Sequence, residues 1–207
     1  MKKILVLIMT FILAGTSFAM AQEVSDTAQA QQVQEAKTYA IDAAHSTLGF
    51  AVRHMGVGKT RGSFDEYEGT ITYDPATMSL SAQVTIKAAS IDTDNENRDN
   101  HLRSADFFDV ETHPAITFNN VRLKQIDDTD MIFGDLTIKG VTKTVTIPVE
   151  IAGPVAGNKG ASMIGIIGST TINRQDFNVN WSKTMDSGGM VVDNNVELII
   201  EIEAKAG

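Results

Sequence analysis

The 207-residue chain contains no cysteine, four prolines, four histidines and a single tryptophan, and aromatics make up only 6% of it. Each shortage excludes something. Without cysteine there is no disulfide, no thiol nucleophile and no zinc–thiolate centre, so an exported form must be held by packing alone. The same absence rules out a lipoprotein anchor after the N-terminal apolar run. Basic residues are also scarce: 17 Lys and Arg stand against 26 Asp and Glu, a net charge of −9. By charge alone such a surface repels nucleic acid and anionic lipid headgroups.

Catalytic signatures are missing too. His45, His54, His101 and His113 fall in no metal-ligand spacing, and there is no G-x-S-x-G elbow, P-loop or strand-to-helix G-x-G-x-x-G. No catalytic residue and no metal site is assigned, and no cofactor is required. The carboxylate pairs, Asp127 with Asp128 and Asp92 with Asp94, read as solvated turn residues of an acidic surface. A calcium loop over Asp92-x-Asp94-x-Glu96 would lack the glycine and terminal glutamate of an EF-hand.

No apolar run is long enough to span a membrane as a helix. The longest, Ile4 to Ala14, falls well short of the roughly 20 residues required. Behind Lys2 and Lys3 and ahead of Ala19-Met20-Ala21, it reads as a secretory signal, residues 1–21, cleaved after Ala21. Removing Lys2 and Lys3 leaves 15 basic residues against 26 acidic ones, a net charge near −11. Residues 22–37 are rich in Gln, Ala and Glu and bury too little to offset their ordering entropy. A flexible leader is expected there; a short surface helix is the other reading. The folded domain is expected over 38–207.

That domain is strand after strand. Val145, Ile147, Val149 and Ile151 alternate with polar neighbours, as do Val196, Leu198, Ile200 and Ile202. Period-2 patterning of this kind puts one face inward and one in water. Further strands are expected at 47–55, 67–74, 79–90, 115–125, 131–138 and 161–172. Asp74-Pro75, Asp127-Asp128, Lys139-Gly140, Gly153-Pro154 and Gly157-Asn158 supply turn signals. The 115–125 strand changes parity between Ile116/Phe118 and Val121/Leu123, which predicts a bulge near Asn119-Asn120. The 161–172 strand mixes parities throughout, so it is buried on both faces or faces a partner subunit. Some 23 residues separate the strands ending near Ile91 and starting near Ala115, too many for a hairpin, and a short helix is expected over 97–104. The fold class is therefore all-β: an eight-stranded antiparallel barrel or sandwich with a short helix in one long connection.

The aromatics cluster meaningfully. Phe50, Phe64, Phe118 and Phe133 lie in or beside strands, and Phe107, Phe108, Phe177 and Trp181 lie in two irregular stretches. Core filling is one account of them. The other is that an eight-stranded barrel has room for side chains or for one small ligand. Small residues expected to point inward (Ala82, Gly134, Gly165) would leave a void, and empty apolar space costs stability unless something fills it.

Tyr39-x-Ile41-Asp42-x-x-His45-Ser46, Phe50-x-Val52-Arg53-His54 and Gly62-x-Phe64 open a longer pattern. It continues through Arg98-Asp99-x-His101-Leu102-Arg103-Ser104-x-Asp106-Phe107-Phe108-Asp109 and His113-Pro114-x-Ile116-x-Phe118. Gly134-x-Leu136-Thr137-Ile138-Lys139-Gly140-Val141-Thr142-Lys143 and Ile172-Asn173-Arg174-x-Asp176-Phe177 complete it. This pattern resembles the YceI-like family of lipocalin-like periplasmic proteins that bind polyisoprenoids and other lipids. The resemblance implies a lipocalin-like β-barrel whose bore holds a long-chain lipid, an isoprenoid or quinone-like amphiphile, in a periplasmic homodimer without stable membrane insertion. The residues taken to line or guard that bore are Phe50, Val52, Phe64, Ala82, His101, Arg103, Phe107, Phe108, Phe118, Phe133, Leu136, Arg174, Phe177 and Trp181. His101, Arg103 and Arg174 are the expected polar groups at its mouth, orienting a headgroup, or else capping the helix and pairing with Asp99 and Asp176. One departure from the family is Asn178, where glycine is usual; asparagine tolerates the left-handed conformation such a turn needs. The rival functions are a stress or interaction protein with a structural bore, and an enzyme using His101 or His54 on an isoprenoid lipid.

Overall fold

The structure, a computed structural model, describes residues 35–157, 160–186 and 188–206. The signal segment and most of the leader lie outside the described residues, as does Asn158 of one turn signal. Eleven strands form a single antiparallel sheet: β1 Lys37–Ile41, β2 Thr47–His54, β3 Gly58–Phe64, β4 Tyr67–Asp74, β5 Ser79–Lys87, β6 Ile91–Asp92, β7 Ala115–Ile126, β8 Thr129–Ile138, β9 Val141–Ala156, β10 Ser162–Asn173 and β11 Val192–Ala206. The order β1-β4-β5-β7-β8-β9-β10-β11 returns to β1 through Ala40↔Lys205 and Ile41↔Ala204, closing a ring of eight. β2 runs further along the same side of β11, from Glu201↔Thr47 to Val192↔His54, and continues into β3 and β6. The wall thus divides at the 3₁₀ turn Ala43–His45. β1 closes one end of the barrel, and β2, β3 and β6 extend the other.

The eight strands of the ring are not the eight expected. β1, β3 and β6 carry no extended hydrophobic alternation: β3 reads GKTRGSF and β6 is two residues long. Pairing to neighbours, and not their own pattern, makes them strands. The bulge in β7 falls where the parity change predicts it, with Asn120 at φ 53° and the register broken between Asn119 and Arg122. In β10, Ile164 and Ile166 are buried while Ile167 is 59% exposed, so this strand is buried on one face only. Gly153-Pro154 is not a turn either; β9 runs on to Ala156 through an irregularity there.

α1, Glu96–Arg103, is polar apart from Leu102, and hydrogen bonds hold it in place of an apolar face. Asn95 caps it by accepting from Arg98 N–H at 3.0 Å. Buried Asp99 accepts from the backbone N–H and hydroxyl of Thr93, and Arg98 donates to Thr93 Oγ1 and O. Arg103 donates to the carbonyls of Ala89 and Ile91 at 2.8 and 2.7 Å, tying the helix to the start of β6.

The closing seam has its own polar clasp. Asp42 N–H donates to Glu203 O at 2.8 Å, and the Ser46 hydroxyl bridges Glu203 O and N–H. The Asp42 carboxylate, 19% exposed, accepts from Lys205 and from His45 Nδ1. Those partners, Lys205 first and then His45, lower its pKa to about 2. A carboxylate depressed in the folded state stabilises the fold above its ordinary pKa, and that contribution disappears as pH falls through the folded value. Asp42→Asn is therefore expected to lose stability relative to the parent at neutral pH, with the difference closing between about pH 4 and pH 2. Urea melts across that range check it; a gap independent of pH would refute the clasp.

Candidate ligand cavity in the barrel

Two apolar clusters fill the barrel's ends. Tyr39, Ile71, Tyr73, Leu80, Ile132, Ile164 and Ala204 pack one end, near the β4–β5 and β7–β8 turns. The Tyr39 hydroxyl meets Ser162 Oγ at 3.3 Å and that of Tyr73 meets Met78 Sδ at 3.5 Å, so both buried rings keep a polar partner. Phe107, Ile116, Leu136, Phe177 and Val179 pack the other end, beneath α1 and the segment after β10. Between them lies a cavity of about 220 Å³.

Every residue lining it is aliphatic, aromatic or glycine, with the exception of Arg174. The alternating positions supply much of the wall: Val145, Ile147 and Val149 from β9, and Val196, Leu198, Ile200 and Ile202 from β11. Leu102, the one apolar residue of α1, reaches in from the cap. Aromatic edges close that end: Phe64 meets Phe108 at 5.9 Å edge-on and Phe50 at 6.2 Å.

Ten of the fourteen expected residues lie on the cavity wall: Phe50, Val52, Phe64, Ala82, Phe107, Phe108, Phe118, Leu136, Arg174 and Phe177. His101 and Trp181 stand one layer behind, packing on Phe107 at 5.0 and 5.3 Å and on each other at 5.1 Å. Arg103 belongs to the helix anchor and not to the cavity. Phe133 is the clear correction: it shares the outward parity of β8 and lies under Lys124 Nζ at 5.8 Å from the ring centre. Gly165 likewise faces outward beside Ala152, and Gly134, though inward, seats the Phe118 ring, since a Cβ there would come within 2.4 Å of it. The unexpected contributors are aliphatic, among them Ile71, Leu80, Val84, Ile116, Val121 and Ile132.

Arg174 is 5% exposed and faces its own chain. Nη1 donates to Val179 O and Trp181 O at 2.6 and 2.7 Å, Nε to Asp193 O at 2.9 Å, and Nη2 to Asn194 Oδ1 at 3.0 Å. Burial lowers its pKa, partly opposed by Asp193. Two donors are thus spent on the loop that follows β10, where Asn178 takes the left-handed conformation at φ 59°, and two on the start of β11. The pairing with Asp176 is not formed. His101 Nε2 instead contacts Asp106 at 3.0 Å.

Chemistry in this cavity has little to work with. Its wall presents no carboxylate, imidazole or hydroxyl. Asp92, Asp94 and Glu96 do not converge; among the described residues, only Asp42, His45 and Glu203 bring three candidate metal-ligand atoms together, and the Lys205 ammonium occupies Asp42 there.

A closed antiparallel barrel with an apolar bore and a polar helix across one end defines a lipocalin-like binding fold. The chain belongs to the YceI-like domain family, whose family model matches residues 39–204. A UPF0312 protein of Staphylococcus aureus strain N315 is 38% identical over 162 residues, covering 77% of this chain and 92% of that one. Among solved structures, BcnA of Burkholderia cenocepacia matches at a TM-score of 0.68 and 29% identity, covering 79% of this chain and 98% of that one. A Campylobacter jejuni YCEI protein matches at 0.65 and 34%, covering 75% and 90%. A polyisoprenoid binding domain from Saccharophagus degradans shares the fold at 0.60 and 17% identity, covering 82% and 98%.

Proposed function

We propose that this protein binds a long-chain amphiphile with its tail inside the barrel and its head outside, carrying or storing it in the periplasm without chemical change. The observation that carries the reading is the wall itself: apolar throughout, with the one polar side chain already satisfied by its own loop. Burying each CH₂ of a tail contributes about 0.8 kcal/mol, so affinity needs no charged anchor. An isoprenoid tail is the favoured chemistry, in keeping with the description of the Saccharophagus domain as polyisoprenoid binding. The headgroup role expected of Arg103 and Arg174 is withdrawn, because both guanidinium groups are committed to carbonyls. The lack of a proton-transferring group on the wall supports a carrier over an enzyme.

We also infer a homodimer. Val155 and Ile167, each 59% exposed, lie on the outer wall of adjacent strands and offer apolar surface for a second copy. Native mass spectrometry of protein purified from the periplasm tests all of this together. The expected spectrum is a dimer carrying a mass increment that organic extraction removes. A monomer would sink the dimer. Protein with the same mass before and after extraction would sink the carrier.

A further inference from the structure

The β2–β3 hairpin ends in an apolar tip. His54 to Val57 form a tight turn with positive φ at Met55 (51°) and Gly56 (74°), closed by Val57 N–H to His54 O at 3.2 Å. Val57 is 90% exposed and Met55 46%, and Met190 beside them is 36% exposed. An isolated exposed apolar residue is ordinary. Here, however, they gather at one place, and Met55 N–H donates to Val191 O at 2.8 Å, joining the hairpin to the segment that carries Met190. Arg53, Gly56, Met185, Met190, Asp193 and Asn194 surround a surface notch between the two.

This notch shares no lining residue with the cavity but adjoins it in sequence, since Arg53 and Asp193 each follow a residue of the cavity wall. Val52 and Val192, immediately inside the rim, line the cavity, and Asp193 and Asn194 hold Arg174, which lines it too. The outer face of the hairpin also departs from the chain's net charge of −9. Arg53, Lys59 and Arg61 share it, with Arg53 directly opposite Lys59, and Glu197 beside them is already bound by Lys59 at 2.7 Å. Asp193, Asp186 and Lys183 belong to the other segment. The rim is thus an apolar tip backed by Arg53, Lys59 and Arg61, with Glu197 paired to Lys59 and Asp193 across the notch from Arg53, on an otherwise acidic protein.

We propose that this rim docks on the surface of a phospholipid bilayer bearing anionic headgroups, the Met55–Val57 tip in the interface and Arg53, Lys59 and Arg61 at headgroup level, so that a tail passes between membrane and bore without crossing water. Apolar side chains flanked by cations are the composition that binds such interfaces. The inference rests on the reading of the bore as a tail site, and two measurements keep the two apart. Flotation with vesicles of mixed phosphatidylcholine and phosphatidylglycerol reports docking alone. Uptake of a long-chain alcohol with a dansyl head, followed by energy transfer from Trp181, reports the bore, with the probe offered from the same vesicles or from detergent micelles. The parent protein is expected to float with the mixed vesicles and less with phosphatidylcholine alone. Met55→Ser combined with Val57→Ser should take the probe from micelles like the parent but from vesicles about tenfold more slowly. Arg61→Glu should remove the preference for the anionic vesicles. A parent protein that does not float, or a double variant with unchanged vesicle uptake, overturns the docking surface. A parent that floats yet takes the probe from neither source leaves the docking standing and overturns the tail site.

Discussion

Ala82→Trp is expected to empty the barrel while leaving it folded. Ala82 pairs with Ile71 across β4 and β5, packs beside the Tyr39–Ile71 cluster and faces the cavity. An indole there occupies space that a tail would fill. Displacing four buried carbons forfeits about 3 kcal/mol, or roughly a hundredfold in affinity. The fold suffers less, because overpacking costs about 1–3 kcal/mol in a full core and here the added ring enters open volume. Native mass spectrometry should find the variant free of the ligand carried by the parent, with thermal unfolding nearly unchanged. Gln83→Trp is the control: its exposed side chain points to the other face, and its cargo should match that of the parent. Lipid retained at parental occupancy by Ala82→Trp would place the ligand elsewhere.

What the sequence made legible follows from where the physics is local. Alternation in β9 and β11 is a property of the chain itself. Val145, Ile147 and Val149 could therefore be placed on the inner face by counting, as could Val196, Leu198 and Ile200. The parity break at Asn119-Asn120 was equally local, and the bulge stands there. By contrast, β3 and β6 become strands only because β2 and β3 offer them open edges. No pattern within GKTRGSF announces that.

Phe133 lies off the wall for a reason its own strand displays. Asp135 and Thr137 share its face of β8, while Ile132, Leu136 and Ile138 share the other, so parity already marked Phe133 as outward. In a barrel wall, position along the strand decides facing, and aromatic character does not. The aliphatic wall is hidden differently: its single residues look like ordinary core, and only closure of the ring reveals the space they enclose. The mouth residues failed for a different reason. Arg103 and Arg174 bond to carbonyls brought near by the fold, and a carbonyl acceptor leaves no trace in the identity of the residue that carries it.

Arg174→Leu is expected to be strongly destabilising. The leucine would leave Val179 O, Trp181 O and Asp193 O without the guanidinium donors that reach them now. Carbonyls that stay shielded from water lose about 1–3 kcal/mol each. With one or two of the three regaining water as the loop opens, one or two stay shielded and the net cost is about 1–6 kcal/mol. In a domain of this size that lowers the midpoint of thermal unfolding by roughly 10 °C. Arg174→Lys should recover little of it, because a single ammonium cannot span acceptors that the guanidinium reaches from three nitrogens. The damage should also be local before it is global. The 178–194 segment carries Trp181, whose ring packs on Phe107 at the cavity wall, so Trp181 emission should shift to the red at temperatures where the barrel's strand signal is still intact. If Arg174 instead served a headgroup, both variants would keep the parental melting point and lose only cargo, and the coincidence of loop opening with lost stability would not be seen.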